Sequence, residues 1–81
     1  MNTDRMQLAS MSLALKERVN AYVPNIPLLS YLDEQTQRQL IYNWRKAIIA
    51  KLDGMFSLFL RNNITIYDYT EVFNEIQKIV E

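Results

Sequence analysis

The side chains able to do chemistry in this sequence are few in kind: nine carboxylates, five tyrosines, nine Lys or Arg, a few serines, and neither His nor Cys. Lacking imidazole, the chain lacks the usual general base near neutral pH and the commonest ligand of catalytic zinc or copper. Lacking thiols, it cannot form disulfides, thiolate metal sites or cysteine nucleophiles. Paired carboxylates do acid–base work only where their environments separate their pKa values. Here Asp4, Glu17, Asp33, Glu34, Asp53, Asp68, Glu71, Glu75 and Glu81 are spread over helix starts and polar faces. Glu71 and Glu75 lie one helical turn apart, yet a selective cation site needs more oxygen ligands than two carboxylates supply. With a single glycine there is no glycine-rich phosphate loop, and no serine has a histidine to activate it. The expectation is a protein with no catalytic residues, no metal and no cofactor.

Recognition is the chemistry that remains. Tyr22, Tyr31, Tyr42, Tyr67 and Tyr69 are many for this length, and tyrosine with Trp and Arg is the composition of protein-binding hot spots. Tyrosine rings also fill the edge of a core with the hydroxyl in water, so both uses are open. Arg38, Tyr42, Arg45 and Lys46 form a basic cluster around one aromatic ring, the arrangement that stacks bases while cations meet phosphates. The formal net charge is zero, however, and nucleic-acid affinity comes mainly from an excess of cations, which favours a protein partner. The charge is unevenly placed: residues 1–61 hold eight Lys/Arg against five Asp/Glu, whereas residues 62–81 hold Lys78 against Asp68, Glu71, Glu75 and Glu81. The last segment therefore suits a basic surface, in this chain or another.

The elements that position these residues read as helices. A first helix is expected over about 4–22, starting near Thr3 or Asp4, with Leu8, Met11, Leu15, Val19 and Tyr22 on one face. Lys16, Glu17, Arg18 and Asn20 fall on its polar side. Pro24 and Pro27 stop it, since each lacks an amide donor and pushes the preceding residue towards extended geometry. A short second helix is expected over 26–32, capped by Asn25, and its nearly all-apolar makeup marks it as a core plug, with an exposed contact surface as the alternative.

Asp33 reads as the cap of a long third helix, 34–62, with Glu34 and Arg38 paired one turn apart. Leu40, Trp44, Ala47, Ile48, Lys51, Leu52, Met55, Leu58 and Phe59 form its apolar stripe; only Lys51 is out of place, at the edge where its stem can snorkel. Arg38, Tyr42, Arg45, Lys46 and Ile49 make up a second face. Gly54 interrupts the pattern without shifting its phase, so one continuous helix is expected, with a break at Asp53-Gly54 as the alternative. Asn62-Asn63 is a stop, because Asn tolerates the left-handed conformation. Thr65 to Asp68 is a capping box with an Ile64–Tyr69 staple. It opens a fourth helix, 66–80, whose face is Ile66, Tyr69, Val72, Phe73, Ile76, Ile79 and Val80.

The whole is thus an all-α domain of 81 residues, a small bundle of three to four helices around a long central one. So short a chain buries a limited core, while 49% of its residues are apolar, and a partner that covers some of them adds stability. The start MNTDRMQLASM lacks a cationic region followed by an apolar run, so the expected location is the cytoplasm. The most apolar window, Ala47 to Leu60, is broken by Lys51, Asp53 and Gly54 and is too short to span a bilayer.

Leu8-Ala9, Ala14, Lys16-Glu17-Arg18 and Asn20, followed by Pro27-Leu28-Leu29 and then Trp44-Arg45, resemble the theta subunit of bacterial DNA polymerase III and its phage-encoded homologues. The resemblance spans residues 4–52, and the last helix has no counterpart in that family. It implies a small three-helix, noncatalytic protein that binds and stabilises the proofreading exonuclease subunit of a replicase. By that resemblance Leu8, Ala9, Ala14 and Asn20 are framework of the first helix, Lys16, Glu17 and Arg18 its polar signature, and Pro27 and Leu28 the turn towards the partner. The expected function is a protein-binding accessory subunit in DNA replication. The alternatives are a phage- or plasmid-type regulator that blocks a host protein, a small nucleic-acid-binding domain, or a homo-oligomer. The residues expected to meet the partner are Tyr22, Pro27, Leu28, Tyr31, Arg38, Tyr42, Arg45, Lys46 and Ile49.

Overall fold

A computed structural model describes residues 2–81, and their side chains from residue 4 onward. Three α-helices follow one another: α1 over Asn2–Ala21, α2 over Glu34–Leu60 and α3 over Ile66–Ile79, with no strand among the described residues. The architecture is a small all-α bundle with α2 at its centre. Any cap supplied by the Thr3 side chain lies outside the described side chains.

The helix boundaries follow from local chemistry. Asp33 accepts a hydrogen bond from the Thr36 amide at 2.7 Å and starts α2, satisfying one of the donors a helix start leaves free. At the other end Asn62 takes φ 61°. Asn63 N–H reaches back to Leu58 O at 2.9 Å and Asn62 N–H to Phe59 O at 3.0 Å, the paired bonds of a Schellman stop. The helix therefore ends at Leu60 rather than at Asn62. Thr65 and Asp68 cap α3 reciprocally, each side chain bonded to the other's backbone amide at 3.2 and 3.0 Å. Helix α2 passes through Gly54 without a break, and a Cβ built on Gly54 meets nothing within 4 Å, so close packing is not what keeps glycine there.

Cross-helix pairs fix the topology. Lys16 on α1 meets Asp53 on α2 at 2.9 Å, while further along α1 the Tyr22 and Trp44 rings lie 5.8 Å apart. On the other flank Lys51 meets Glu75 at 3.7 Å, and Phe59 lies 6.1 Å from Tyr69. Both α1 and α3 therefore run antiparallel to α2 and parallel to each other. The core between them consists of Leu15, Val19, Leu52, Tyr69, Phe73, Ile76 and Val80, each contributing about 1.5–3 kcal/mol through burial. Because α2 is flanked by two helices, its buried arc is wide: Trp44, Ile48 and Met55 pack against this core, and so do Ile49 and Phe56.

The structure corrects several sequence expectations. Residues 26–32 are not a helix. Only a single 3-10 turn, Leu29–Tyr31, forms there, preceded by Leu28 rather than capped by Asn25. Nor is this segment a core plug, because Leu28 is 71% and Tyr31 83% exposed. None of residues 26–32 is buried; Pro24, just before them, is. Leu28, at φ 63°, breaks the right-handed run, and Pro27 before it has no amide to donate. On α1, Met11 is exposed and Ser12 takes its place inside, while Leu15 and Val19 are buried as the spacing predicts; this one-position change brings a hydroxyl to Tyr69. On α2, Leu40 and Ala47 are exposed, and Trp44 is only partly buried. Leu40 lies in the part of α2 that runs past the end of α3, so no second helix covers it.

The molecule is elongated, 49 × 20 × 17 Å with a radius of gyration of 14.7 Å, against roughly 12 Å for a compact chain of this length. Among the described residues this shape leaves thirteen large apolar side chains substantially exposed, against seven in the core. No helix among the described residues is long and apolar enough to cross a membrane.

Candidate protein-binding surface

The expected contact residues gather at one end of the molecule, where α1 stops, the chain turns, and the uncovered half of α2 begins. Arg45 holds this end together. Its Nε and Nη2 both donate to the Tyr22 carbonyl, at 3.1 and 2.8 Å, tying the residue just past the end of α1 to α2. Tyr22 packs its ring against Trp44 from the same position. Tyr22 and Arg45, both expected to meet a partner, are thus partly buried and already engaged within the chain. Sequence spacing placed Arg45 on the second face of α2 correctly, but a carbonyl 23 positions away gave no signal.

The connecting segment is pinned at both ends and bulges between them. Buried Pro24 accepts from Ile26 N–H at 3.1 Å, and the Gln37 amide closes the far end on Leu32 O at 2.8 Å. Between these points Leu28 adopts φ 63°, ψ 13°, a left-handed conformation that costs a non-glycine residue about 1–2 kcal/mol. The turn it makes sends Leu28 and Tyr31 outward, with Val23, 64% exposed, and Leu32, 40% exposed, beside them in the chain. Pro27 is exposed in the same segment.

Beside this bulge an open groove of about 520 Å³ is lined by Asn20 of α1 and by Tyr42, Arg45, Lys46, Ile49, Ala50 and Asp53 of α2. Four of the sequence-predicted residues, Tyr42, Arg45, Lys46 and Ile49, are therefore brought together, and Ile49 also packs inward on the core. Lys46 Nζ lies 6.0 Å from the centre of the Tyr42 ring, within cation–π range. Arg38 lies a turn beyond the groove, exposed and paired with Glu34 at 2.5 Å. The residues that sequence reasoning missed are Asn20, Ala50 and Asp53. Only the crossing of α1 over α2 puts them on this wall.

The titrating groups are structural. Hydrogen bonds from the Thr36 hydroxyl and amide hold the Asp33 carboxyl below the usual carboxylate range, and Thr65 does the same for Asp68 through its amide and hydroxyl. Burial pushes the Tyr69 phenol up, opposed by its hydrogen bond to Ser12. No cluster of three or more metal-ligating carboxylates forms among the described residues. The surface offers apolar side chains, the Tyr31 and Tyr42 rings, and cations, Arg45 and Lys46, that meet no carboxylate among the described residues. In comparisons with protein-family models, with characterised proteins and with solved structures, nothing matches this chain.

Proposed function

We propose that this protein is a noncatalytic accessory protein that docks on a larger protein through the end formed by residues 22–32 and the first half of α2. The observation that carries this reading is the run of exposed apolar side chains Val23, Leu28, Tyr31 and Leu32 within the segment that joins α1 to α2. Exposed apolar side chains concentrated in one short segment of a small domain mark an interaction site. The unusual Leu28 backbone supports it, because a left-handed leucine that buries nothing within its own chain gains its value from a contact elsewhere. The same surface would serve a stabilising subunit or a small phage- or plasmid-type regulator. The resemblance of residues 4–52 to theta subunits makes a replicase proofreading exonuclease the first partner to test.

The experiment is capture from a bacterial lysate by the immobilised full chain, with mass spectrometry of what is retained. Wild type is expected to retain a defined protein that the double variant Leu28→Ser/Tyr31→Ser loses. Tyr67→Ser, which alters an equally exposed tyrosine at the opposite end of the bundle, is expected to retain it. Recovery of nothing specific overturns the docking reading. Recovery of a protein unrelated to replication removes the theta-like version and leaves the regulator.

A further inference from the structure

We infer that the groove between α1 and α2 takes an acidic, amphipathic helical segment of the partner, with an apolar side chain on Tyr42, Ile49 and Ala50 and a carboxylate at Lys46 and Arg45. This rests on the docking reading above and names the chemistry of the segment that docks. The groove's volume, about 520 Å³, lies in the range of sites that enclose a few side chains. Its floor is apolar and its cations are concentrated at one end.

Charge selects the occupant. Lys16, Arg38 and Lys51 each have a carboxylate partner within the chain. Arg45 and Lys46 have none among the described residues. The one acid on the groove wall, Asp53, is neutralised by Lys16 at 2.9 Å, and it lies seven residues from Lys46, about 10 Å along the helix axis. The groove is thus positive at the Arg45–Lys46 end and neutral at the Asp53 end. Arg45 is also held in place: with Nε and Nη2 bonded to Tyr22 O, its guanidinium is fixed and Nη1 has no acceptor among the described residues. A cation immobilised beforehand loses little entropy when a carboxylate arrives. Two cations beside an apolar floor suit a carboxylate set among apolar residues better than a polyphosphate strand, whose affinity grows with the number of cations met.

The test is titration of the isotopically labelled full chain with three probes: a helical peptide of Leu and Glu, the same peptide with Lys for Glu, and a short single-stranded oligonucleotide. The acidic peptide is expected to shift the amide signals of Asn20, Tyr42, Lys46, Ile49 and Ala50. Lys46→Glu, at an exposed position, is expected to weaken it roughly tenfold with the melting temperature unchanged, and Lys46→Met to fall between. The inference is overturned if the Lys peptide binds as tightly, if shifts map to residues 23–32 instead, if the oligonucleotide binds more tightly at the same residues, or if no probe binds. Such a failure leaves lysate capture through Leu28 and Tyr31 standing, so the two proposals fall separately.

Discussion

Tyr69 on α3 and Ser12 on α1 are hydrogen-bonded to each other through their hydroxyls inside the core, 57 positions apart in the chain. Ser12 Oγ donates to Leu8 O at 2.7 Å, so its lone pairs accept the Tyr69 proton and both hydroxyls are satisfied. This is the polar contact that joins the two outer helices. Its loss is asymmetric. Tyr69→Phe removes a donor and leaves Ser12 bonded to Leu8, costing about 0.5–1.5 kcal/mol, whereas Ser12→Ala strands a buried phenol and costs about 1–3 kcal/mol. Urea unfolding of both single variants and the double variant is expected to show Ser12→Ala as the least stable of the three. A double variant less stable than Ser12→Ala would contradict this.

Stability is expected to fall at both extremes of pH. Asp33 and Asp68 have lowered pKa values in the folded chain, so the stability they contribute is present above the ordinary Asp value of ~3.9 and is lost as pH drops through their folded values. Tyr69, raised by burial, acts in the opposite sense. Its contribution is complete below the ordinary tyrosine value of ~10 and is lost as pH rises through its folded value, because the unfolded phenol ionises first. Melting temperatures measured across pH are expected to show that Asp68→Asn flattens the acid limb and Tyr69→Phe the alkaline one.

Gly54 is the simplest site at which to stabilise the fold. The helix is regular there and the space for a Cβ is open, so Gly54→Ala is expected to add about 0.5–1 kcal/mol. Thermal melts should rise by roughly 2–8 °C. No rise, or a fall, would mean that α2 needs to bend at this point.

Leu28 separates stability from docking. Leu28→Gly relieves the left-handed strain at the cost of extra freedom in the unfolded chain and sacrifices little burial, so its stability is expected to match or exceed wild type by up to about 1 kcal/mol. Leu28→Val, β-branched at a positive φ, is expected to lose at least about 1 kcal/mol. If the docking reading holds, Leu28→Gly nonetheless binds its captured partner more weakly than wild type. Chemical denaturation and capture measured side by side check both halves.

The sequence by itself determined the three α-helices and the caps of the last two. Thr65 with Asp68, Asp33, and the Asn62-Asn63 stop are interactions among residues at most a few positions apart, so composition and spacing suffice to read them. It also placed Tyr42, Arg45, Lys46 and Ile49 on one side of α2, because the helical period alone does that. The tertiary structure decided what each face meets. The crossing of α1 over α2 turned Arg45 from a free cation into a clamp on Tyr22 O, and the packing of α3 against α1 set Ser12 rather than Met11 against Tyr69. It also left residues 26–32 outside the core, since the space beside Trp44 is filled by Tyr22. These outcomes depend on partners between 22 and 57 positions away, whose approach is set by how three rods pack together and not by any local pattern.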